Sequence, residues 1–391
     1  MSSQIYEGQI PDGWYVATLG EICEISAGGD LGRLTFSHIK TDKFLNPIYS
    51  NAVSNNGLYG YSSDFDFEGN FVTVTARGYI GYAVARSGKF CSIGRLLNLK
   101  PKFDISCYYV AEYINQFIYF VIESTGVPQL TVPQISKYKI LMPKDKAEQE
   151  RIAQVLGDMD ELIRAKCKLL DKKRAIKQAA AQQLLTPKPH WHTTALGEIG
   201  KTYSGLSGKN KEDFGTGNSF YIPFTNIMSN IEIDINNLEI VKISDDEKQN
   251  LVMQNDLLFN GSSETPEEVC FCSLANFEIP NVYLNSFCFG FRIQKNKSIF
   301  PKFFAYWFRS DFGRNAISFM AQGSTRYNIS KSEFLKFGIL MPNLSEQTKI
   351  AEILSDMDGE ISALQDEIEK LKMIKQGAMD ELLSGKIRLK G

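Results

Sequence analysis

Several short segments of this chain carry residue types that catalyse reactions in other proteins. Gly205-Leu206-Ser207-Gly208-Lys209 resembles part of a loop that binds phosphates through backbone N–H groups and a lysine. The segment is too short for that loop and lacks the following Ser or Thr that would bind magnesium. Asp12 and Glu21 could supply the carboxylates of a nuclease metal site, but no lysine stands two residues after the glutamate. Neither segment therefore predicts a reaction.

Two further segments resemble parts of adenine methyltransferases. Asn46-Pro47-Ile48-Tyr49 is close to their Asn-Pro-Pro-Tyr/Phe loop but lacks the second proline, and Phe214-Gly215-Thr216-Gly217 is close to their cofactor loop. A glycine loop that binds a cofactor follows a strand and precedes a helix. Here polar residues precede the glycines and a predicted strand follows them. The chain has only three histidines, and none has a pattern that supports a nucleophile or a general base. We therefore predict that it is not an enzyme.

The composition is ordinary for a soluble protein. Apolar residues make up 43% of the chain, and no window has the roughly 18 uncharged apolar residues that a membrane span needs. The N-terminus has no basic region followed by an apolar run, so we expect no secretion signal. The seven cysteines are scattered without zinc-ligand spacing, which predicts buried thiols, no metal site and a reducing cytoplasm. The formal net charge is −2, so a nucleic-acid partner would have to meet locally placed cations.

The chain contains an internal repeat. Ile140-Leu141-Met142-Pro143 returns as Ile339-Leu340-Met341-Pro342, and each copy precedes a Glu-Gln pair and a helical stretch that contains Asp-Met-Asp and Ile-Lys-Gln. Upstream, Trp and Leu-Gly-Glu-Ile begin each globular part, at Trp14 and at Trp191. The repeat divides the chain into a globule (residues 1–142), a helix (143–187), a second globule (188–341) and a second helix (342–391).

Apolar residues of the two helical segments alternate at steps of four and three, which is typical of a coiled-coil seam. The predicted seam consists of Ile152, Leu156, Met159, Ile163, Leu170, Ile350, Leu354, Met357, Ile361, Leu364, Ile368 and Leu371. A helix with a single apolar stripe is not stable alone in water, so the two helices should pack on each other. The globule between them in the sequence allows them to run antiparallel. The alternative is that each helix packs on its own globule. The globules are predicted to be β-rich with a few helices, which makes the fold class α+β.

The repeated motifs, taken in their order along the chain, resemble those of the DNA-specificity subunit of type I restriction-modification enzymes. The resemblance covers nearly the whole chain. It includes a glycine-containing loop near the end of each globule, with Gly126-Val127-Pro128-Gln129-Leu130-Thr131 matched to Gly323-Ser324-Thr325-Arg326-Tyr327-Asn328. The resemblance implies two target recognition domains joined by two long antiparallel helices packed as a coiled coil.

The resemblance also implies partners. It predicts double-stranded DNA, two methylation subunits that hold S-adenosylmethionine, and a restriction subunit that translocates DNA with ATP and magnesium. This chain itself would need no cofactor, and the complex would be cytoplasmic. Because the two globules differ in sequence, each should read a different half of an asymmetric bipartite target, and the helices should fix the spacer between the halves.

Reading bases in the major groove requires side chains that offer donors or acceptors. The candidates, chosen from predicted turns and loops, are Asn51, Asn55, Arg77, Tyr79, Gln129 and Thr131 in the first globule and Ser262, Ser263, Arg326, Tyr327 and Asn328 in the second. Each could instead cap a turn or pair with a carboxylate. Two other functions stay open at this point, a stand-alone DNA methyltransferase with its own recognition domains and a coiled-coil adaptor that does not bind DNA.

Overall fold

The structure is a computed structural model that describes residues 10–121, 128–244, 246–295, 297–323 and 326–389. Two compact units are present, and each long helix contributes to both of them. Unit 1 contains Met1–Lys168 and Asp366–Gly391, and unit 2 contains Leu169–Gln365.

Unit 1 begins with a globule of short strands and helices. In chain order these are β1 (Trp14–Thr18), α1 (Leu19–Ile22), β2 (Cys23–Ala27), β3 (Phe36–Ser37), β4 (Asn46–Tyr49), β5 (Leu58–Ser62), β6 (Phe67–Glu68), β7 (Phe71–Val74), β8 (Ala83–Arg86), β9 (Lys89–Ser92), β10 (Leu97–Pro101), α2 (Cys107–Phe117), α3 (Val132–Ile135) and β11 (Lys139–Pro143). The first long helix is α4 (Lys146–Leu185).

The second globule lies in unit 2, and it begins and ends with the same kinds of element. Its elements are β12 (His192–Ala195), α5 (Leu196–Ile199), β13 (Gly200–Ser204), β14 (Phe214–Ile222), α6 (Phe224–Ser229), β15 (Glu239–Val241), β16 (Leu257–Asn260), β17 (Ser262–Ser263), β18 (Cys272–Leu274), β19 (Val282–Leu284), β20 (Cys288–Ile293), α7 (Pro301–Arg309), α8 (Asp311–Ser318), β21 (Tyr327–Asn328), α9 (Lys331–Lys336) and β22 (Gly338–Met341). The second long helix is α10 (Leu344–Leu383).

The central sheet has the same topology in both units. Its strand order is β2-β10-β7-β8 in unit 1 and β13-β20-β16-β18 in unit 2. Beside it, a parallel strand pair appears in each copy, β4 with β9 and β14 with β19. A two-stranded sheet joins the first and last strands of each globule, β1 with β11 and β12 with β22. The repeated motifs of the sequence therefore correspond to a repeated fold, and the α+β class is confirmed.

Each core is formed by the central sheet, the helix that follows it and the ends of both long helices. In unit 1, Val72 and Leu99 of the sheet share one cluster with Tyr109 of α2, Ile152 of α4 and Leu382 of α10. In unit 2 the corresponding cluster is rich in aromatic rings, and Phe259 lies 4.9 Å from Phe308 and 5.0 Å from Phe334 between ring centroids. Burial of such side chains contributes roughly 2 kcal/mol each.

The residue pattern predicts strands over residues 220–227 and 270–274 and a helix over residues 303–319, and the structure differs from each of these predictions. The strand expected over residues 220–227 ends at Ile222, and α6 begins after Pro223. The long helix expected over residues 303–319 is two helices, because the hydroxyl of Ser310 accepts the N–H of Gly313 and caps α8. The strand expected from Cys270 begins only at Cys272, since Cys270 has a φ of 59°.

The long helices are confirmed, and they run antiparallel within each unit. As residue numbers rise along α4, those of the partners on α10 fall. In unit 1, Lys166 pairs with Glu367 at 2.8 Å, and in unit 2, Lys173 pairs with Glu360 at 2.6 Å. Each helix has 40 residues, so each is about 60 Å long.

The predicted seam residues have two different environments. Those near the start of each helix belong to the core of the adjoining globule, namely Ile152, Leu156, Ile350 and Leu354. Farther along, three are buried (Leu170, Leu364 and Ile368) and five are partly buried (Met159, Ile163, Met357, Ile361 and Leu371). The helices thus pack both on a globule and on each other.

The repeated Glu-Gln pair ties each long helix to its globule. Gln149 is buried, and its side chain accepts the N–H of Ser106 at 2.9 Å and donates to the carbonyl of Pro143 at 2.8 Å. Gln347 makes the same two kinds of contact in unit 2, each at 2.9 Å. One amide side chain therefore satisfies two backbone groups that the end of a strand and the start of a helix would leave unpaired.

The repeated Asp-Met-Asp and Ile-Lys-Gln motifs bind each other between the helices. In unit 1, Asp160 of α4 accepts a hydrogen bond from Lys375 of α10 at 2.8 Å and another from the hydroxyl of Tyr108 at 2.8 Å. In unit 2, Asp358 of α10 accepts from Lys177 of α4. Each motif copy thus binds the opposite copy of its partner motif.

One carboxylate makes this junction differ between the units. Glu112 of α2 is buried and lies 3.3 Å from the Lys375 ammonium. Burial raises the pKa of Glu112, and the nearby ammonium opposes that rise. The equivalent position in unit 2 is Ser310, which follows α7 and has no charged side chain.

We predict that Lys375→Met destabilises unit 1 more than Lys177→Met destabilises unit 2. The first change leaves two neighbouring carboxylates without a cation, at a cost of about 3 kcal/mol, whereas the second breaks a more exposed pair that contributes about 1 kcal/mol. The loss in unit 1 should also depend on pH. Without Lys375 the folded-state pKa of Glu112 rises further, so the folded state holds an extra proton above pH ~4.3, and stability falls as pH rises toward that folded-state pKa.

Hydrogen exchange of the α2 and α7 amides at pH 5 and pH 8 measures the two units separately. Equal losses of protection in the two variants, or a loss in Lys375→Met that is larger at pH 5, would contradict this account.

Candidate nucleic-acid interface

The residues that resembled catalytic motifs have structural contacts. The Lys209 ammonium, which is almost fully buried, binds the Glu247 carboxylate at 2.5 Å, and the hydrogen bond lowers the pKa of Glu247 to about 2. Glu21 caps α1 by accepting the N–H of Thr18 at 2.7 Å. Asn46 begins strand β4 rather than a loop. None of these side chains is arranged as the corresponding catalytic motif requires.

The seven cysteines are present as thiols, five of them buried. Burial raises the pKa of Cys23, Cys270 and Cys288 to about 12 each, so these thiols stay protonated and are poor nucleophiles. Within the described residues no group of three or more His, Cys, Asp or Glu side chains could hold a metal ion. No helix in the described part of the chain is long and apolar enough to cross a membrane.

Nine of the eleven DNA-contact candidates gather at one end of the central sheet strands in their globule, and Asn51 and Asn55 lie in a neighbouring segment. We call the two groups loop cluster 1 and loop cluster 2. Each consists of three segments. The first lies at the end of β7 or β16, the second is the turn before β10 or β20, and the third is the loop before the short helix α3 or α9. Loop cluster 1 contains residues 75–79, 93–96 and 128–131, and loop cluster 2 contains residues 260–263, 285–287 and 326–330.

Backbone hydrogen bonds hold the segments of each cluster together. Leu130 donates to the carbonyl of Ala76 at 2.9 Å, and in the other cluster Ile329 donates to the carbonyl of Gly261 at 3.4 Å. The sheet register also makes Ala76 equivalent to Gly261, because Val74 and Phe259 lie opposite equivalent residues of the neighbouring strand. The two clusters therefore share a backbone frame and differ in side chains.

Loop cluster 1 contains a direct contact between two candidates. The guanidinium of Arg77 donates through Nε at 2.9 Å and through Nη2 at 2.5 Å to the same oxygen of Gln129. Among the described residues Nη1 has no hydrogen-bond partner. The amide thus fixes the plane of the guanidinium and leaves donors free.

Asn51 fixes this cluster from a neighbouring turn. Its side-chain oxygen accepts the N–H of Ala76 at 2.8 Å, and its amide nitrogen donates to the carbonyl of Gly94. Both ends of the amide are therefore used inside the protein.

The other candidates of the first globule are also exposed. Asn55 has a φ of 49° in the tight turn that contains Asn56 and Gly57. Tyr79 is 68% exposed. Thr131 precedes α3, and its hydroxyl donates to the side chain of Gln134 at 2.8 Å, so it has a capping role.

Loop cluster 2 brings its five candidates together. Ser262 pairs with Asn328, and Ser263 with Tyr327, in the short sheet of β17 and β21. The hydroxyl of Ser263 donates to Glu268 at 2.9 Å. Arg326 is exposed, and its guanidinium lies 5.4 Å from the centre of the Phe287 ring.

The structure corrects the loop alignment that was anchored on the two glycines. Leu130 and Ile329 make equivalent backbone contacts, and Thr131 and Ser330 both precede a short helix. Gln129 is therefore equivalent to Asn328 rather than to Arg326. The two extra residues of the second copy lie within the loop, before this point, and residues 122–127 and 324–325 lie outside the described residues.

Sequence reasoning missed the turn before β10 and β20. Arg95 is exposed with a φ of 67°, a conformation that is uncommon outside glycine. The sheet register makes Phe287 its equivalent in unit 2, where the ring is 56% exposed. The Gly94-Arg95 and Asn285-Ser286 pairs between strands were the available turn signals.

A depression of about 410 Å³ adjoins loop cluster 2 and is lined by Ser204, Leu206, Gly261, Phe287, Asn328 and Lys331. The Lys331 ammonium donates to the hydroxyl of Ser204 at its rim. Lys336, also on α9, pairs instead with Glu333 at 2.8 Å. Loop cluster 2 thus offers one arginine and one lysine near polar and aromatic groups, a combination suited to bases and phosphates.

Comparison with known proteins agrees with this doubled architecture. The model of the family described as "Type I restriction modification DNA specificity domain" matches residues 11–172 and again residues 189–373. A putative type I specificity subunit of Mycoplasma pneumoniae is 31% identical over 163 residues, which are 41% of this chain and 51% of that protein. The chain thus spans about half the length of this curated relative. A putative type I restriction enzyme specificity subunit of Methanocaldococcus jannaschii is 26% identical, with 98% of this chain and 96% of that protein covered.

Two solved structures have the same fold. The crystal structure of a type I restriction-modification S subunit from M. genitalium aligns with a TM-score of 0.61 at 16% identity, covering 98% of this chain and 99% of that one. A chain from a study of complex assembly and conformational transition in the type I R-M system aligns with a TM-score of 0.58 at 14% identity, covering 97% and 100%.

We predict that Asn51→Ala destabilises unit 1 by about 1–2 kcal/mol, because it removes the partner of one buried N–H group and of one carbonyl. The nearby change Asn55→Gly is the control, since glycine accepts the same positive φ and no side-chain contact is lost. Urea unfolding followed by circular dichroism compares the two variants. If Asn51→Ala unfolds at the same urea concentration as Asn55→Gly, Asn51 does not hold the cluster together.

Proposed function

Because this chain belongs to the family of type I restriction-modification DNA specificity domains, we propose that it is the subunit that chooses the DNA sequence for a type I complex. Loop cluster 1 reads one half of a bipartite target, and loop cluster 2 reads the other half. The observation that carries the proposal is the pair of loop clusters, which have one backbone frame and different side chains.

The different side chains support an asymmetric target. Arg77 and Gln129 in the first cluster occupy the positions of Ser262 and Asn328 in the second. Arginine matches the paired acceptors of guanine, and asparagine matches the donor and acceptor of adenine. Two clusters with different side chains at these positions should prefer different bases, so the two half-sites should differ.

We further propose that the long helices set the number of unread base pairs between the half-sites. Ion pairs and the Asp–Lys contacts join the helices within each unit. Two helices held together at several points resist bending, so a change in their length should change the distance between the bases that are read.

The proposed partners are double-stranded DNA, two methylation subunits and a restriction subunit. S-adenosylmethionine, ATP and magnesium would belong to those partners, and this chain would contribute recognition alone. The formal net charge of −2 supports the need for partners, because phosphate contacts made by cations supply much of the affinity for DNA.

Mapping methylated adenines in cells that express the chain with its methylation subunits tests the function. A bipartite asymmetric motif is expected, and it should disappear when this chain is omitted. Methylation that persists without the chain would contradict the proposal, as would a motif without a gap.

We predict that four additional residues after Lys168 and four after Gln365 lengthen the gap between half-sites by one or two base pairs. Four helical residues add about 6 Å, and one base pair rises about 3.4 Å. The two insertion points lie at the same level along the antiparallel helices, because Lys166 pairs with Glu367 on one side of them and Lys173 pairs with Glu360 on the other. The same four residues inserted after Lys40, in the loop between β3 and β4, are the control and should leave the gap unchanged. An unaltered gap in the helix variant would exclude the helices as its determinant.

A further inference from the structure

Each loop cluster contains one exposed arginine whose guanidinium contacts a side chain from a different segment of the same cluster. Arg77 follows β7 and is held by Gln129, which precedes α3. Arg326 precedes α9 and lies over Phe287, which belongs to the turn before β20. The two arginines are not at equivalent positions, so the frame holds a guanidinium from a different segment in each unit.

These contacts restrict the orientation of the guanidinium and leave donors available. In unit 1, a single amide oxygen takes both Nε and Nη2 of Arg77. In unit 2, the Phe287 ring supports Arg326 by a cation–π contact, and the guanidinium makes no hydrogen bond to any described residue. A planar fork whose orientation is fixed matches the O6 and N7 acceptors of guanine in the major groove.

The supports are themselves anchored. The carbonyl of Phe287 accepts the N–H of Gly261 at 2.9 Å, and its own N–H donates to the side chain of Asn285 at 2.9 Å. Gln129 lies next to Leu130, whose N–H binds the carbonyl of Ala76 beside Arg77. Movement of the support and of the arginine is therefore limited by the same frame.

We infer that Arg77 and Arg326 each read one guanine, one in each half-site, and that Gln129 and Phe287 are the positioning residues that orient them. The inference rests on the proposed function and makes it more specific. It also reassigns Gln129, which the sequence had suggested as a direct base contact. Arg95 provides the contrast, because its guanidinium has no hydrogen-bond partner among the described residues and its charge can reach any nearby phosphate.

The test uses the complete complex of this chain with its methylation subunits and begins with unaltered protein. Once the methylated motif is known, duplexes are made in which one half-site guanine is replaced by 7-deazaguanine, which lacks the N7 acceptor. Binding should weaken on the order of tenfold at one guanine in each half-site. A bipartite motif in which no half-site guanine responds to this replacement overturns the inference and leaves the proposed function intact.

Variants then assign the guanines to residues. Arg326→Ala and Phe287→Leu should relax the same position of the same half-site, while Phe287→Tyr, which keeps the aromatic face, should retain the motif. In the other half-site, Arg77→Ala and Gln129→Leu should relax one position, and Gln129→Glu, which keeps the acceptor, should retain it.

Arg95→Ala is the matched control because it removes the same charge from loop cluster 1. It should lower methylation at all sites without changing the motif. The orientation argument is wrong if Phe287→Leu and Phe287→Tyr give the same motif, or if Arg95→Ala relaxes the same position as Arg77→Ala. Failure of the proposed function is distinct, since the unaltered complex would then methylate no gapped motif.

Discussion

Each unit depends on one constraint, that a helix from each copy of the repeat completes it, and the contact between an aspartate of one long helix and a lysine of the other shows this directly. In unit 1, Asp160 comes from the first copy of the repeat and Lys375 from the second, and in unit 2 Asp358 and Lys177 exchange these roles. Neither copy can complete the contact alone. Unit 1 therefore includes the segment from Asp366 onward, in which Arg388 binds Glu148 through two hydrogen bonds of 2.6 and 2.7 Å.

This constraint explains which parts of the repeat stay alike. The motifs that recur have structural roles, since Gln149 and Gln347 satisfy backbone groups and the aspartates and lysines join the helices. At the loop clusters the backbone contacts recur, but the side chains do not. Because the frame is kept while its exposed side chains change, the preference for a DNA sequence that we propose for these clusters could vary without loss of the fold.

Much of the fold could be predicted from the sequence because its signals are local or periodic. The long helices followed from apolar spacing, and they end shortly before Pro187 and Gly385, residue types that stop helices, with Gly385 at a φ of 72°. The failures came from single residues that act through their neighbours. Pro223 ends a strand and precedes a helix, and the Ser310 hydroxyl interrupts what apolar spacing alone presented as one helix.

The candidate site was harder to predict, because its contacts join residues distant in sequence. Arg77 and Gln129 were both proposed, yet no local pattern indicates that one binds the other. Phe287 was missed because an isolated phenylalanine in a β-rich sequence is normally a core residue, and only its exposure and its position beneath Arg326 indicate another role. The loop correspondence failed for a related reason, since a shared glycine is weaker evidence of equivalence than a shared backbone hydrogen bond.

The modest charge of the chain and its ordered arginines have a common consequence. A protein that gained its affinity from many exposed cations would bind most sequences well, and selectivity would then be a small fraction of the total free energy. A chain with a formal net charge of −2 gains little from such contacts. In the proposed role, two guanidinium groups held by Gln129 and Phe287 would lose less conformational freedom on meeting a base than free arginines would. Under the proposed function, recognition would depend on a few oriented groups, and non-specific attraction to DNA would come from the proposed partner subunits.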